Sequence, residues 1–349
     1  METIDRMLSF LAFARRTGVQ LMDPKNLKYF HLIFRGFTPN KGYYYDFKKY
    51  GYNSFVTDTT RYLNTVFINY PNRDMLNDKY ACYLFLKDFT DKVVPVYGLV
   101  NNGYLFTVNK YRDADELFEQ ERKVVLKPRK GRGGEGVIVL EVARGKFTMP
   151  GKGEVDFPTV IRKLKDYVLV SYVYQHDYAS RIFPGTLNTI RLMTCILNDK
   201  PVLLRAGHRF GNVHTGTVDN FSQGGVSTII DQDTGTLQDP VIWDSRNRRR
   251  VPVDVHPSTG EPILGVQIPR WHEVKDSVLE LHESIKFIKY VGWDVAITGD
   301  GYRIIEANYA SDVDGLQMHR PLLVDEPTRQ FFSQYQFKPL KALFSKSPK

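Results

Sequence analysis

Cysteine is almost missing from this chain: only Cys82 and Cys195 occur in 349 residues, each inside an apolar stretch and neither in a CxxC or Cys/His spacing. That excludes a disulfide framework and a thiolate metal centre, and suits reduced, buried thiols. Long hydrophobic runs are absent too. A membrane span needs about 18 apolar residues in a row, and the opening METIDRMLSFLAFARRTG is interrupted by Asp5, Arg15 and Arg16, which argues against a span or a secretory signal. A cytoplasmic protein is expected. There is no internal repeat or low-complexity tract, and no helix-turn-helix or RNA-recognition pattern frames the basic residues.

What is present describes a folded chain. At 42% hydrophobic and 25% charged residues, it can bury sizeable cores and divides into two or three packed subdomains. The formal net charge of +9 attracts polyanions, so nucleotide phosphates, an anionic membrane surface or nucleic acid are all admissible partners. Its clusters, such as Lys48-Lys49, residues 127–132 and residues 246–250, read mostly as solvated surface. Apolar periodicity predicts helices over residues 4–16 and 78–89, a strand in VVPVYGLV, then a small alpha/beta unit over 105–172 with strands at 121–126, 137–140 and 167–173. From residue 188 strands dominate: TIRLMTCIL and PVLLRAGHRFG flank the turn Asn198-Asp-Lys-Pro201 as an antiparallel hairpin. A helix over 272–290, a hairpin GWDVAITGDGYRIIEANY and a capping helix from Glu326 with a basic end complete the chain.

Three constellations carry chemistry. The first is VVLKPRKGRGGEGV, in which a strand delivers Lys127 into a loop holding Gly131, Gly133, Gly134 and Gly136. Glycines let backbone N–H groups approach an anion, and a lysine at a strand end adds a point charge. The lysine precedes the glycines and a strand follows them, which disfavours both a GxxxxGK[ST] loop and a GxGxxG dinucleotide site. Taken alone, the run fits a basic surface hairpin equally well.

The second is the last hairpin. If its loop centres on Asp300, paired positions sum to 600, which sets Asp294 opposite Glu306 with Asn308 on the same face. Two carboxylates facing each other repel, and a magnesium ion between them relieves this. A register half a step later separates them, and an exposed acidic turn is the plainer reading. The third set lies on the intervening strands: NTIR with Arg191, RAGHRFG with Arg209, and VDNFSQGG with Asn220 before a Gly-Gly turn. These read as anion-handling positions, although Arg205 and Arg209 share strand parity and suit ordinary salt bridges.

In this order the pieces resemble the ATP-grasp superfamily, in particular its sugar-transfer-associated branch near polysaccharide biosynthesis. The resemblance runs over residues 79–317 and rests on LNDKYACYLFL, VVLKPRKGRGGEGV, VLVSYVYQH, NTIRLMT, VDNFSQGG and GWDVAITGDGYRIIEAN. It implies an α+β ATP-grasp fold, two α/β lobes clasping ATP, with an N-terminal α/β subdomain. The expected divisions are 1–104, a small lobe at 105–172, a large lobe at 173–325 and a tail at 326–349. It implies Lys79 and Lys127 as nucleotide lysines, and residues 131–136 as a lid over the triphosphate. Ser171, Tyr172 and Val173 become the hinge against adenine, Ser171 standing where relatives commonly carry a glutamate. Arg191 and Asn220 fall by the γ-phosphate, so that Arg191, Lys127 and Asn220 are the catalytic set. Asp294, Glu306 and Asn308 become the ligands of two Mg2+ ions.

The implied reaction is phosphoryl transfer from ATP to a carboxylate, followed by displacement of phosphate by an amine: an ADP-forming ligase acting on small molecules, an amino acid and a sugar or glycan precursor. Positioning and charge neutralisation suffice for that chemistry, and no protein nucleophile is required. Two other readings stay open. One is a kinase on the same scaffold. The other is a basic nucleic-acid binder using the Tyr/Phe/Lys-rich stretch 37–55, whose composition equally marks subdomain packing or peripheral membrane docking. The partner expectation is small molecules, with peripheral membrane contact and no nucleic acid. His208, Arg209, His214, Asp312, Gln317 and His319 are positional candidates for substrate contact.

Overall fold

A computed structural model describes residues 2–335 apart from 71, 109, 110, 112, 121 and 132. Its frame is a pair of seven-stranded antiparallel sheets joined by helices. The first sheet contains β1 (Val96–Asn101), β2 (Tyr104–Thr107), β3 (Arg122–Pro128), β4 (Ile138–Ala143), β5 (Lys146–Met149), β6 (Gly153–Val155) and β7 (Tyr167–Ser171), in the order β2-β1-β7-β3-β4-β5-β6. The second contains β8 (Ile190–Leu197), β9 (Lys200–Phe210), β10 (Val226–Ile230), β11 (Leu237–Asp244), β12 (Arg249–Pro252), β13 (Tyr290–Thr298) and β14 (Gly301–Asn308), in the order β12-β11-β10-β9-β8-β13-β14.

Strand alternation decides which face of the second sheet can carry a site. Ile190, Leu192, Trp293 and Val295 point one way, into a core sealed by the helix Trp271–Ser284, which buries Trp271, Val274, Val278 and Leu281 at helical spacing. Met193, Cys195 and Leu197 point the other way, under Tyr290, Phe331 and Phe332. Arg191 and Asp294 continue that second face past its apolar cover. The expected β8–β9 hairpin turns through Asn198 and Asp199, both at positive φ (50° and 60°), with Leu197 paired to Lys200. That is the twist a two-residue hairpin needs.

The last hairpin differs from expectation at its tip. Thr298 pairs with Gly301, half a step from a loop centred on Asp300, and that register runs back to Val295 opposite Ile304. A β-bulge then restores the other count, so Asp294 lies opposite Glu306 and Gly292 opposite Asn308. The residue left unpaired is Ile305. The bulge changes side-chain parity: Tyr302 and Ile304 belong to the helix-covered core, and beyond the bulge so does Ala307, which turns Glu306 and Asn308 to the opposite face. In an unbroken ladder Glu306 would sit opposite Trp293 and enter the core.

Three expectations need amendment. Among the described residues the segment before Val96 holds helices only. Its aromatic run does not stack outward: Phe37, Tyr45 and Phe55 are 1%, 5% and 2% exposed and pack edge-on and face-on against each other and Phe47. The boundary set after residue 104 cuts the β1–β2 hairpin, in which Asn101 pairs with Tyr104, so the small lobe is better taken from Val96. The capping helix expected from Glu326 does form, as Glu326–Ser333, with Phe331 and Phe332 1% exposed against Tyr290. The expected basic end, residues 336–349, lies outside the described residues.

Candidate functional site

Lys127 leaves β3 on the same side as Val125, where Val96, Val168 and Val170 form an apolar wall. Packed on that wall are Tyr80 from the helix Lys79–Leu86, Tyr172 and Val173 beyond β7, and Ile305 from the second sheet. The bulge therefore does two things: it sends Ile305 into the layer between the sheets and presents Glu306 beside it. Lys127 is half-buried and makes no hydrogen bond or ion pair among the described residues. Burial pushes its ammonium down from 10.5 to about 8, with Glu306 pulling the other way.

The helix carrying Lys79 is fixed by its cap. Asp78 accepts from the backbone N–H groups of Tyr80 and Ala81 and from Arg129 (2.6 Å), and the Lys79 N–H donates to the Arg129 carbonyl. Burial raises the Asp78 pKa, but Arg129 and the amides outweigh it and the carboxyl lies below its ordinary value. So anchored, Lys79 Nζ stands 3.4 Å from the Gly131 carbonyl and 3.5 Å from Glu306 Oε1, bridging glycine loop and last strand.

That loop turns with Gly133, Gly134 and Gly136 at φ near 70°. It lies against residues 218–220 of the other sheet's long loop. Asn220 Nδ2 donates to the Gly133 carbonyl at 3.4 Å, and a Cβ on Gly134 would overlap the Val218 side chain. The long loop is itself tied down: Asp219 accepts from the Thr189 N–H and hydroxyl at 2.7 and 2.5 Å.

At the centre Asp294 is gripped by arginines. Arg191, its cross-strand neighbour on β8, donates twice (2.6 and 3.0 Å), and Arg209 from β9 adds a bond at 3.1 Å. Burial favours the neutral acid, yet the two guanidiniums prevail and hold the Asp294 carboxyl below its usual range. Arg191 also donates to Ser311 Oγ. Arg209 Nε is buried without a hydrogen bond among the described residues, 3.6 Å from Asp219. Asn308 Nδ2 donates to the Gly292 carbonyl and to Asp294, which leaves its carbonyl oxygen on the outer side.

Thus Lys79, Lys127, the glycine loop, Asn220, Arg191, Asp294, Glu306 and Asn308 share one cleft. Ser171, Tyr172 and Val173 form its rim, where Ser171 N–H donates to Pro95 and Tyr172 N–H to Lys123. Arg209, Asp219 and Ser311 belong to the same network; RAGHRFG and VDNFSQGG contain the first two, but Ser311 has no signature. Among the described residues no three of His, Cys, Asp and Glu gather as a metal cluster. The oxygen donors facing the cleft are Glu306, the Asn308 carbonyl and Asp294. Such a set fits a hard cation if phosphate oxygens complete the shell and draw the arginines from Asp294.

The positional candidates scatter. His208 is fully buried, stacked on Phe210 and bonded to Tyr178 at 2.8 Å, and burial takes its pKa down to about 3. Gln317 is enclosed between Val56 and Tyr45. His319 bridges Ser227 (3.0 Å) and Asp239 (2.9 Å), an order seen in hydrolytic triads, but Ser227 is 4% exposed and not presented to a substrate. Asp312 pairs with Arg61, and His214 lies on an exposed loop. A cavity of about 710 Å3, lined by Tyr50, Arg205, Asp231 and His319 among others, shares no residue with the cleft.

Residues 59–326 match the family of sugar-transfer associated ATP-grasp proteins. The chain belongs to that family and has the ATP-grasp fold. Similar solved structures include an L-amino acid ligase from Bacillus licheniformis (11% identity, 77% of this chain and 52% of that one, TM-score 0.39). A D-alanine–D-alanine ligase from Helicobacter pylori (11%, 75% and 59%, 0.40) and a biotin carboxylase from Campylobacter jejuni (10%, 76% and 48%, 0.41) also match. The chain spans about half the length of these solved chains. No curated protein matches it.

Proposed function

We propose that this chain is an ADP-forming carboxylate–amine ligase whose nucleotide lies in the cleft between the sheets. One observation carries the reading: a half-buried, unpartnered Lys127 faces a strand bearing Glu306, with Lys79 joining that strand to a glycine loop. A desolvated ammonium and a buried guanidinium N–H that makes no hydrogen bond, Arg209 Nε at 3.6 Å from Asp219, are groups that gain by meeting phosphate oxygens. The Val125–Val168–Val170 wall with Ile305 offers a planar base an apolar seat, rimmed by the backbone of Ser171, Tyr172 and Val173. Lys127 and Lys79 hold the α- and β-phosphates, the 131–136 loop covers them, and Arg191 with Asn220 and Arg209 orients the γ-phosphate.

Glu306, Asn308 and Asp294 would hold Mg2+, which would supply neutralisation of charge on the phosphate oxygens. The carboxylate attacks the γ-phosphorus and ADP leaves; the amine then attacks the acyl carbon, inorganic phosphate leaves as the amide bond forms, and the amine's proton is released. A closed glycine loop keeps water from that phosphate. Family membership favours an amino acid and a sugar or glycan precursor of cell-surface polysaccharide as substrates.

The test is ADP and phosphate release across amino acids and amino sugars, wild type beside Glu306→Gln. Turnover that requires both a carboxylate and an amine, and is lost in Glu306→Gln, is expected. Turnover without any amine would identify a kinase, and no hydrolysis together with unchanged melting in MgATP would remove the enzyme reading.

A further inference from the structure

The first helix, Glu2–Leu21, is built inside out for a protein surrounded by water. At 100° per residue, Asp5, Ser9, Phe13, Thr17 and Gln20 share one side, and that side is the packed one. Asp5 pairs with Arg73, Phe13 lies on Tyr62, and Thr17 is buried. The opposite side carries Ile4, Met7, Leu8 and Leu11, flanked by Phe10 and Val19, each between 54% and 59% exposed. Only Thr3 and Arg15 break that outer stripe with a polar group. The next segment, the 3-10 helix Pro24–Arg35, extends the surface through Leu27, Phe30 and Phe34 (54%, 45% and 81% exposed), with Met22 at the join (81%). Scattered apolar residues are normal on a protein surface, but a continuous apolar face on two successive helices needs a covering.

Charge selects the covering. Arg15, Lys25, Lys28 and Arg35 are exposed on these same two helices, while Arg16 falls on the packed side over the Tyr62 ring. The acidic side chains described there, Asp5 and Asp23, are spent on Arg73 and Arg248. An apolar stripe rimmed by unneutralised cations suits a surface of acyl chains under anionic headgroups, whereas a second copy would bring its own cations against these. A stripe that runs the length of the first helix suits a helix lying in the plane of such a surface, and no helix among the described residues is long and apolar enough to cross a bilayer.

We propose that Glu2–Leu21 and Pro24–Arg35 form an interfacial anchor that lays the protein on an anionic membrane with its apolar stripe in the headgroup boundary. The anchor is independent of the nucleotide cleft, so either assignment can fail without the other. The test is co-sedimentation of the full chain with phosphatidylcholine vesicles, with and without phosphatidylglycerol, for wild type, Leu8→Glu/Leu11→Glu and Lys25→Glu/Lys28→Glu. Binding to the anionic vesicles, weakened about tenfold or more by either pair and by raised salt, is expected. Exposed positions tolerate these changes, and an unchanged melting temperature of each variant shows that folding is intact. Three results overturn the anchor: no vesicle binding by wild type, equal binding by Leu8→Glu/Leu11→Glu, or wild-type self-association in sedimentation velocity that the leucine pair abolishes.

Discussion

Lys127 is the residue on which charge and function are most tightly coupled. Folded, its ammonium titrates near 8; unfolded, near 10.5. Between those values the unfolded chain holds a proton the folded chain has released, so Lys127 makes the nucleotide-free protein more stable as pH rises through this window. Bound phosphate favours the charged form, so nucleotide binding at pH 8–9 takes up a proton and weakens as pH rises, which calorimetry in buffers of different ionisation enthalpy detects. Lys127→Met should leave melting of the free protein unchanged or higher, yet abolish its upward shift in MgATP. Gly134 is held by shape instead. Its φ of 71° and the nearness of Val218 leave no room for a Cβ, so Gly134→Ala should raise the KM for ATP about tenfold while costing only about 1–2 kcal/mol in stability. The order lysine, glycines, strand marked both residues in advance. Arg209, Asp219 and Ser311 were less legible, because their partners Asp294, Thr189 and Arg191 lie tens of residues away and no local spacing encodes such contacts. His208 misled for the complementary reason: a histidine in a strand looks the same in sequence whether it faces a cleft or Phe210.

At the scale of elements, the cap of the helix Lys79–Leu86 and the β14 bulge set the geometry. Asp78 fixes both the helix start and Arg129 at the base of the glycine loop. Asp78→Ala should lose about 1 kcal/mol of stability from the cap and raise the KM for ATP more than it lowers kcat, because Lys79 and the loop then move apart; melting together with steady-state kinetics checks both. Alternating apolar residues made β8, β9, β13 and β14 legible, and Asn198-Asp199 announced its turn. The bulge was not visible, since Ile304 and Ile305 are the same residue type in sequence; the ladder slips between Asp294 and Val295, and on the other side of β14 Ile304 meets the segment at Lys92 and Val93. Asp294 met Glu306 as expected, by a route the hairpin tip alone would not have produced.

Across the whole molecule, a buried charge network joins the N-terminal helices to the segment after β14. Lys41, 2% exposed, contacts Asp58 at 3.4 Å and Asp314, which also takes Arg61 and the Tyr45 hydroxyl. Burial works against the Lys41 charge, but Asp314 and Asp58 raise it to about 12; burial likewise works against the Asp314 charge, but Lys41 and Arg61 hold that carboxyl well below its usual range. The Lys41 contribution is complete below 10.5 and fades only as pH rises through about 12, while that of Asp314 fades only under strong acid. Lys41→Met leaves Asp58 buried without a cation, held only by the Thr38 N–H and hydroxyl, while Asp314 keeps Arg61, and should cost about 3 kcal/mol in denaturant unfolding. Because Ser311, three residues before Asp314, bonds Arg191, the loss should reach the cleft as weaker nucleotide binding. Whether cation and lid truly meet on one nucleotide is settled most directly by titrating MgATP into wild type, Lys127→Met and Glu306→Gln by calorimetry. Saturable binding that Lys127→Met weakens about a hundredfold, and that in Glu306→Gln loses its dependence on magnesium, is predicted; wild-type binding untouched by both substitutions would place the nucleotide elsewhere.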